Sequence, residues 1–201
     1  MFSKFSYVFA FVALLSTNAL AQQAMFEGLS IGTNAEFKST TSDLSAAGGN
    51  TIGFGQQNTG LAVSADYGMA ISDRAVLLFG GKVDLSDTTI IKIDSNGLSV
   101  SLKEKNHYSL FIAPGILLNN TTLGYLKLSY ETSDAAIEVS GLSASEKHSG
   151  VGYGAGLRTQ LSGRWFVNIE AMRVVYDSKS LNALETKTSS TVAAVGLTYK
   201  F

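Results

Sequence analysis

Cysteine is absent from this 201-residue chain, so it has neither a disulfide framework nor thiolate metal ligands. Two histidines are too few for a Cys/His zinc site, and no cofactor or metal is expected. A single proline excludes collagen-like and proline-rich classes. Charge is scarce as well: 15% of residues are charged, where about 25% is usual for a soluble domain. A net charge of −1 and a pI near 6.1 give no electrostatic footprint for nucleic acid. Long apolar runs are also missing downstream of the N-terminus. Leu44–Ala65 and Asn106–Leu126 carry no Asp, Glu, Lys or Arg, but Gly, Ser, Asn, Gln and Thr interrupt them. Neither reads as a membrane helix. What is present is 45% hydrophobic and 10% aromatic residues, which excludes disorder.

The N-terminus has the order of a secretory signal peptide. Lys4 is followed by an uncharged apolar run from Tyr7 to Leu15 and by Ala19-Leu20-Ala21. Cleavage is predicted after Ala21, leaving residues 22–201 as one domain. The alternative, a membrane anchor, would need about 20 apolar residues.

Beyond that segment the dominant period is two. Leu29, Ile31, Thr33, Ala35 and Phe37 alternate with Ser30, Gly32, Asn34, Glu36 and Lys38. Leu61, Val63, Ala65, Tyr67, Met69 and Ile71 alternate with small or polar residues, as do Leu77, Phe79 and Val83, and Tyr108, Leu110 and Ile112. The second half repeats the pattern at Leu126–Tyr130, Val151–Leu157, Trp165–Ala171 and Thr191–Phe201. Alternation of this length predicts strands with one apolar face and one small or polar face. Eight strands are expected. In the seventh, Arg173 falls on the apolar parity, and a bulge is expected to shift it.

The connections alternate too. Ser72-Asp73-Arg74, Asn119-Asn120-Thr121 and Ser162-Gly163-Arg164 are tight polar turns, whereas Lys38–Thr59, Thr132–Gly150 and Asp177–Ser190 are long polar segments read as loops. Short turns on one side and long loops on the other are the plan of a transmembrane β-barrel. A soluble β-sandwich or lipocalin-like barrel alternates as well. Its outer face must suit water, and the second face here is mostly Gly, Ala and Ser, which fits the crowded inside of a narrow barrel.

These residues resemble the small outer-membrane β-barrel proteins of Gram-negative bacteria, the porin-like and opacity-type group. The terminal Val195-Gly196-Leu197-Thr198-Tyr199-Lys200-Phe201 is similar to the family's last strand. Tyr108–Gly115 and Leu123–Tyr130 resemble its central hairpin. The resemblance implies an all-β, eight-stranded antiparallel up-and-down transmembrane β-barrel in the outer membrane, monomeric and surrounded by lipid. It also implies that the barrel-assembly machinery reads Leu197, Tyr199 and Phe201.

With the apolar parity towards lipid, Lys38, Lys82, Lys127 and Arg158 face the lumen together with Glu36, Asp66, Asp84, Glu131 and Glu170. Both signs in a narrow lumen predict a salt-bridge network that plugs it, because an unpaired buried charge is costly. A charged pore is the alternative. His107-Tyr108-Ser109 has the His-x-Ser spacing seen in lipid A deacylase barrels, but no orienting carboxylate is assignable, and the plainer reading makes His107 a polar residue at a strand end. No enzyme is expected. Gly48-Gly49-Asn50 and the series Gly152, Gly154 and Gly156 lack the context of nucleotide loops.

Between the third and fourth strands the alternation is unbroken. It runs through Ile91 and Ile93, past the hairpin signal Asn96-Gly97, and back through Leu98, Val100 and Leu102. A membrane strand needs about 9–11 residues, so this hairpin is expected to project roughly 20 Å or more. Two readings stand: the stripe packs on the other loops or the hairpin merely extends the barrel, or else an exposed strand edge captures a host or cell-surface ligand by β-augmentation. A ten-stranded wall is the alternative if Ile90–Lys103 or Lys38–Thr59 forms a hairpin of its own.

Overall fold

The computed structural model describes residues 25–46, 51–95, 98–139, 142–181 and 184–201. The expected signal peptide, Met1–Ala21, lies outside them, as do Asn96 and Gly97. The elements are β1 (Gly28–Ala46), β2 (Thr51–Ser72), β3 (Ala75–Asp84), β4 (Thr88–Ser95), β5 (Leu98–Asn119), β6 (Thr122–Val139), β7 (Leu142–Ser162), β8 (Trp165–Tyr176), β9 (Lys179–Leu181) and β10 (Leu184–Lys200). Eight of them, β1, β2, β3, β5, β6, β7, β8 and β10, pair antiparallel in that order, and β1 pairs with β10 to close the ring. Closure leaves no edge at this level, which is the condition for strands to cross a bilayer. The two short strands add nothing to the wall count: β4 pairs with the upper part of β5, and β9 with the start of β10. The wall is eight-stranded, not ten.

Two-residue turns at Asp73–Arg74, Asn120–Thr121 and Gly163–Arg164 join strands at one end, as expected. Gly163 has a φ of 54°, a left-handed conformation that glycine adopts at no steric cost. Asn119 Oδ1 accepts from the Thr121 amide at 2.9 Å, so the neighbouring turn is held by an Asx-type bond.

The burial pattern is inverted relative to a soluble domain. Leu110 is 67% exposed and Leu126 66%, while Asp66 is 3% exposed and Glu131 2%. Apolar parity points out and polar parity points in. Aromatics edge the outward face at both ends. Trp165, Tyr199 and Phe201 stack edge to face at the turn side, with centroids 5.0 and 5.1 Å apart. Tyr108, Tyr130 and Tyr153 lie exposed towards the opposite end. These are the interfacial girdles of a membrane barrel.

Three expectations change. First, the long polar segments are mostly strand, since β1 runs to Ala46 before β2 starts at Thr51, and β6 runs to Val139 before β7 starts at Leu142. Hydroxyls join them across the ladder: Thr40 and Ser190 at 2.8 Å, Ser42 and Thr188 at 3.0 Å. Above the bilayer no lipid demands an apolar face, so the period-two signal fades while the hydrogen-bonded ladder continues.

Second, the alternation in β5 is broken structurally. Asn106 sits at φ 51° in a bulge between Lys105 and Tyr108, and its amide donates to Asp134 at 2.9 Å. A one-residue shift exchanges the faces of a strand. Beyond the bulge Leu102 lies opposite Ile137 and Val100 opposite Val139. A matching shift between Thr89 and Ile91 keeps Ile91 opposite Leu102 and Ile93 opposite Val100, with Leu98 opposite Ser95. Third, β8 carries no bulge at Arg173, whose pairing with Tyr153 and Thr191 is in register.

Leu85 N donates to Leu61 O at 2.8 Å, joining β2 to the β3 side, and Asp177 N donates to Ser149 O at 2.9 Å, joining β7 to the β8 side. Higher up, ladders join β9, β10, β1 and β2 to one another and β4, β5, β6 and β7 to one another, and β4 lies in contact with β2. Among the described residues no ladder pairing crosses from Thr51–Gln57 to β4, or from Leu142–Lys147 to β9.

Candidate functional site: the closed lumen and its charge network

All nine expected lumen charges point inward, and they form a layered arrangement. Near the turns Phe26, Val76, Leu78, Phe111, Ala113, Leu123, Tyr125 and Phe166 fill the interior as an apolar plug. Leu78 and Leu123 are completely enclosed. The sequence reading assigned no such plug, although Leu78, Phe111 and Phe166 stood on the inward parity. Gly156 makes space for it, because a Cβ there would overlap the Tyr125 ring.

Directly above, the Arg158 guanidinium forks onto Asp66, with Nη1 and Nη2 at 2.8 and 2.7 Å from the two carboxylate oxygens. Its Nε donates to Asn168 Oδ1 at 2.8 Å, and the Asn168 amide in turn donates to Thr198. A buried bidentate pair whose Nε is hydrogen-bonded as well has the geometry in which a desolvated pair is tolerated. On the next level Glu170 accepts from the Tyr125 hydroxyl at 2.6 Å and from Lys127 at 2.8 Å. The Lys127 ammonium also stands 4.1 Å from the Phe111 ring centroid, which couples the charged layer to the plug.

The third layer is the largest. Lys82 bridges Glu36 at 2.6 Å and Asp84 at 3.3 Å, and Lys38 approaches Asp84 at 3.6 Å. His107 lies between two carboxylates, with Nδ1 2.7 Å from Asp84 and Nε2 3.1 Å from Glu131. Ser129 closes the layer by donating to Glu131. His107 is thus a buried member of the network within β5, not a polar residue at a strand end. Only the imidazolium form presents a donor on both nitrogens. In that form the lumen holds five cations against five carboxylates. The sequence reading missed this because His107 lies at the bulge, where alternation no longer tells which way a side chain points.

Chemically, the arrangement neutralises charge and fills space. His107 Nδ1 is hydrogen-bonded to Asp84, its Nε2 stands 3.1 Å from Glu131, and Ser109 two residues on is itself buried. Among the described residues no group of His, Asp and Glu is placed to hold a metal ion. The cavity lined by Glu36, Lys82, His107, Glu131 and Glu170 measures about 10 Å³, the space of one water molecule. The remaining expected site residues lie elsewhere. Leu197, Tyr199 and Phe201 line the outward face at the turn side, and the Phe201 amide donates to Leu29 O at 3.0 Å, tying the terminus into the ring.

Several solved structures are similar to this chain. Neisserial surface protein A superposes with a TM-score of 0.51 at 14% identity, over 84% of this chain and 97% of that one. Ail, the attachment invasion locus protein of Yersinia pestis, gives 0.42 at 17% identity over 85% and 99%. The outer membrane protease OmpT from Escherichia coli gives 0.49 at 10% identity over 92% and 100%. No curated protein sequence matches the chain. A family model described as the outer membrane protein beta-barrel domain matches residues 7–201. The eight-stranded closed ring, the outward apolar band and that match lead to one conclusion: the chain belongs to the outer membrane protein β-barrel domain family of the bacterial outer membrane.

Proposed function

We propose that this barrel is a monomeric, non-enzymatic and non-conducting surface-interaction protein. In this reading the lower barrel anchors the chain in outer-membrane lipid, and the upper wall recruits an extended segment of a host or cell-surface partner. One observation supports the proposal: the ladder closes on itself at the membrane level, whereas above it no ladder pairing among the described residues joins Thr51–Gln57 to β4. Proteins usually protect unpaired strand edges, because a row of free backbone donors and acceptors is a template for another strand. β-Augmentation uses that template, with backbone bonds supplying affinity. In the β4–β5 hairpin β5 pairs with both β4 and β6 up to Val139, whereas β4, which lies beside β2, has no second ladder partner among the described residues. Export through a signal peptide cleaved after Ala21, and reading of Leu197, Tyr199 and Phe201 by the assembly machinery, complete the proposed route to the surface.

The test is removal of residues 90–103 from the protein displayed on cells. The shortened barrel should still show a heat-modifiable gel shift, while attachment of the cells to host-cell monolayers falls. Attachment equal to that of the full chain would overturn the proposal.

A further inference from the structure

Arg173 breaks the chemistry of the face on which it stands. Because β8 has no bulge, Arg173 shares the outward parity of Trp165, Ile169 and Val175, all of which are exposed. Its neighbours across the ladder are Tyr153 on β7 and Thr191 on β10, and Tyr153 is itself exposed. The Arg173 Nη2 donates to Ser189 Oγ at 3.2 Å. Among the described residues no carboxylate pairs with it. Every lumen cation described above has an acidic partner; this outward one has only a hydroxyl.

Its height decides what can reach it. Trp165 stands in the turn-side aromatic girdle, eight residues earlier on the same strand. At about 3.3 Å per residue and a tilt near 40°, Arg173 stands about 20 Å above Trp165. The apolar band of such barrels is about 25 Å tall, so this level is the loop-side boundary. An arginine there extends its stem along the apolar surface and sets its guanidinium among headgroups. Only lipid and water touch the outward wall at that depth, and lipid phosphate is the anion available. A guanidinium suits it, because its planar fork meets two phosphate oxygens at once. Tyr153 beside it fits the same boundary, where a ring packs against acyl chains and its hydroxyl reaches the polar layer.

We propose that Arg173, flanked by Tyr153 and Ser189, is a binding site for the phosphate of a phosphorylated lipid in the loop-side leaflet. The site commits to lipid-borne phosphate, because the acyl chains hold the phosphate at the depth of the guanidinium; free phosphate lacks that support.

The test uses the full chain refolded in detergent, with lipid A as probe and native mass spectrometry as readout. The wild type should retain lipid A, and should retain its dephosphorylated form and inorganic phosphate poorly. R173Q should weaken retention by about tenfold, the scale of one charge-assisted hydrogen bond, and R173K should fall between. R164Q, at the turn side, should match the wild type. Heat-modifiable mobility reports that each variant is folded; if R173Q fails that check, R173K and S189A carry the comparison. Equal retention by the folded variants and the wild type would overturn the proposal. So would equal retention of phosphorylated and dephosphorylated lipid, or competition by inorganic phosphate at equal concentration.

Discussion

The lower and upper halves of this barrel are one continuous set of strands in two different solvents. In the lower half Leu126, Ile112 and Ile169 face outward, Glu170 and Arg158 face inward, and the ring has no edge. In the upper half the same strands carry Ser and Thr and pair through hydroxyls such as Thr40 and Ser190, and no ladder pairing among the described residues joins Thr51–Gln57 to β4. The bilayer accounts for the difference. Within it an unpaired backbone group costs several kcal/mol, so closure is compulsory. Above it water satisfies an open edge, and closure becomes optional.

If that account is right, substitutions in the lower half should unfold the protein and substitutions in the upper half should not. The largest effect is expected from Arg158→Leu, which strands the buried Asp66 carboxylate and should cost about 3–5 kcal/mol. Urea unfolding from lipid vesicles measures it, and the double replacement with Asp66→Leu should recover most of the loss. Next is Leu126→Arg on the outward face, for which the same titration should show a loss of about 2–4 kcal/mol. Gly156→Val presses a branched side chain onto Tyr125 and should cost about 1–3 kcal/mol, with Gly156→Ala costing less. The smallest effect belongs to the upper wall, where Thr40→Val removes one hydroxyl pair and should cost about 1 kcal/mol. A Thr40→Val loss as large as that of Arg158→Leu would erase the distinction between the two halves.

The same physics explains what could be read from the sequence. Where lipid lies on one side, Leu61 to Ile71 and Thr191 to Phe201 alternate cleanly, and their strands were legible residue by residue. So were the nine lumen charges, because parity alone assigns a face. The apolar plug was harder to see, since Leu78, Phe111 and Phe166 are apolar on the polar parity and only three-dimensional closure shows that they meet. Above the bilayer the signal vanished. Thr51–Thr59 and Thr132–Val139 look like loops by composition, yet their backbones continue the ladder. His107 was misread because of the bulge at Asn106, whose polar residue carried no turn context to announce it.

The central claim is that the plug and the charge network close the lumen within the membrane. Single-channel recording of the refolded full-length barrel in a planar bilayer tests it most directly. The account predicts a silent trace under applied voltage, and discrete conductance steps from the wild-type barrel would contradict it.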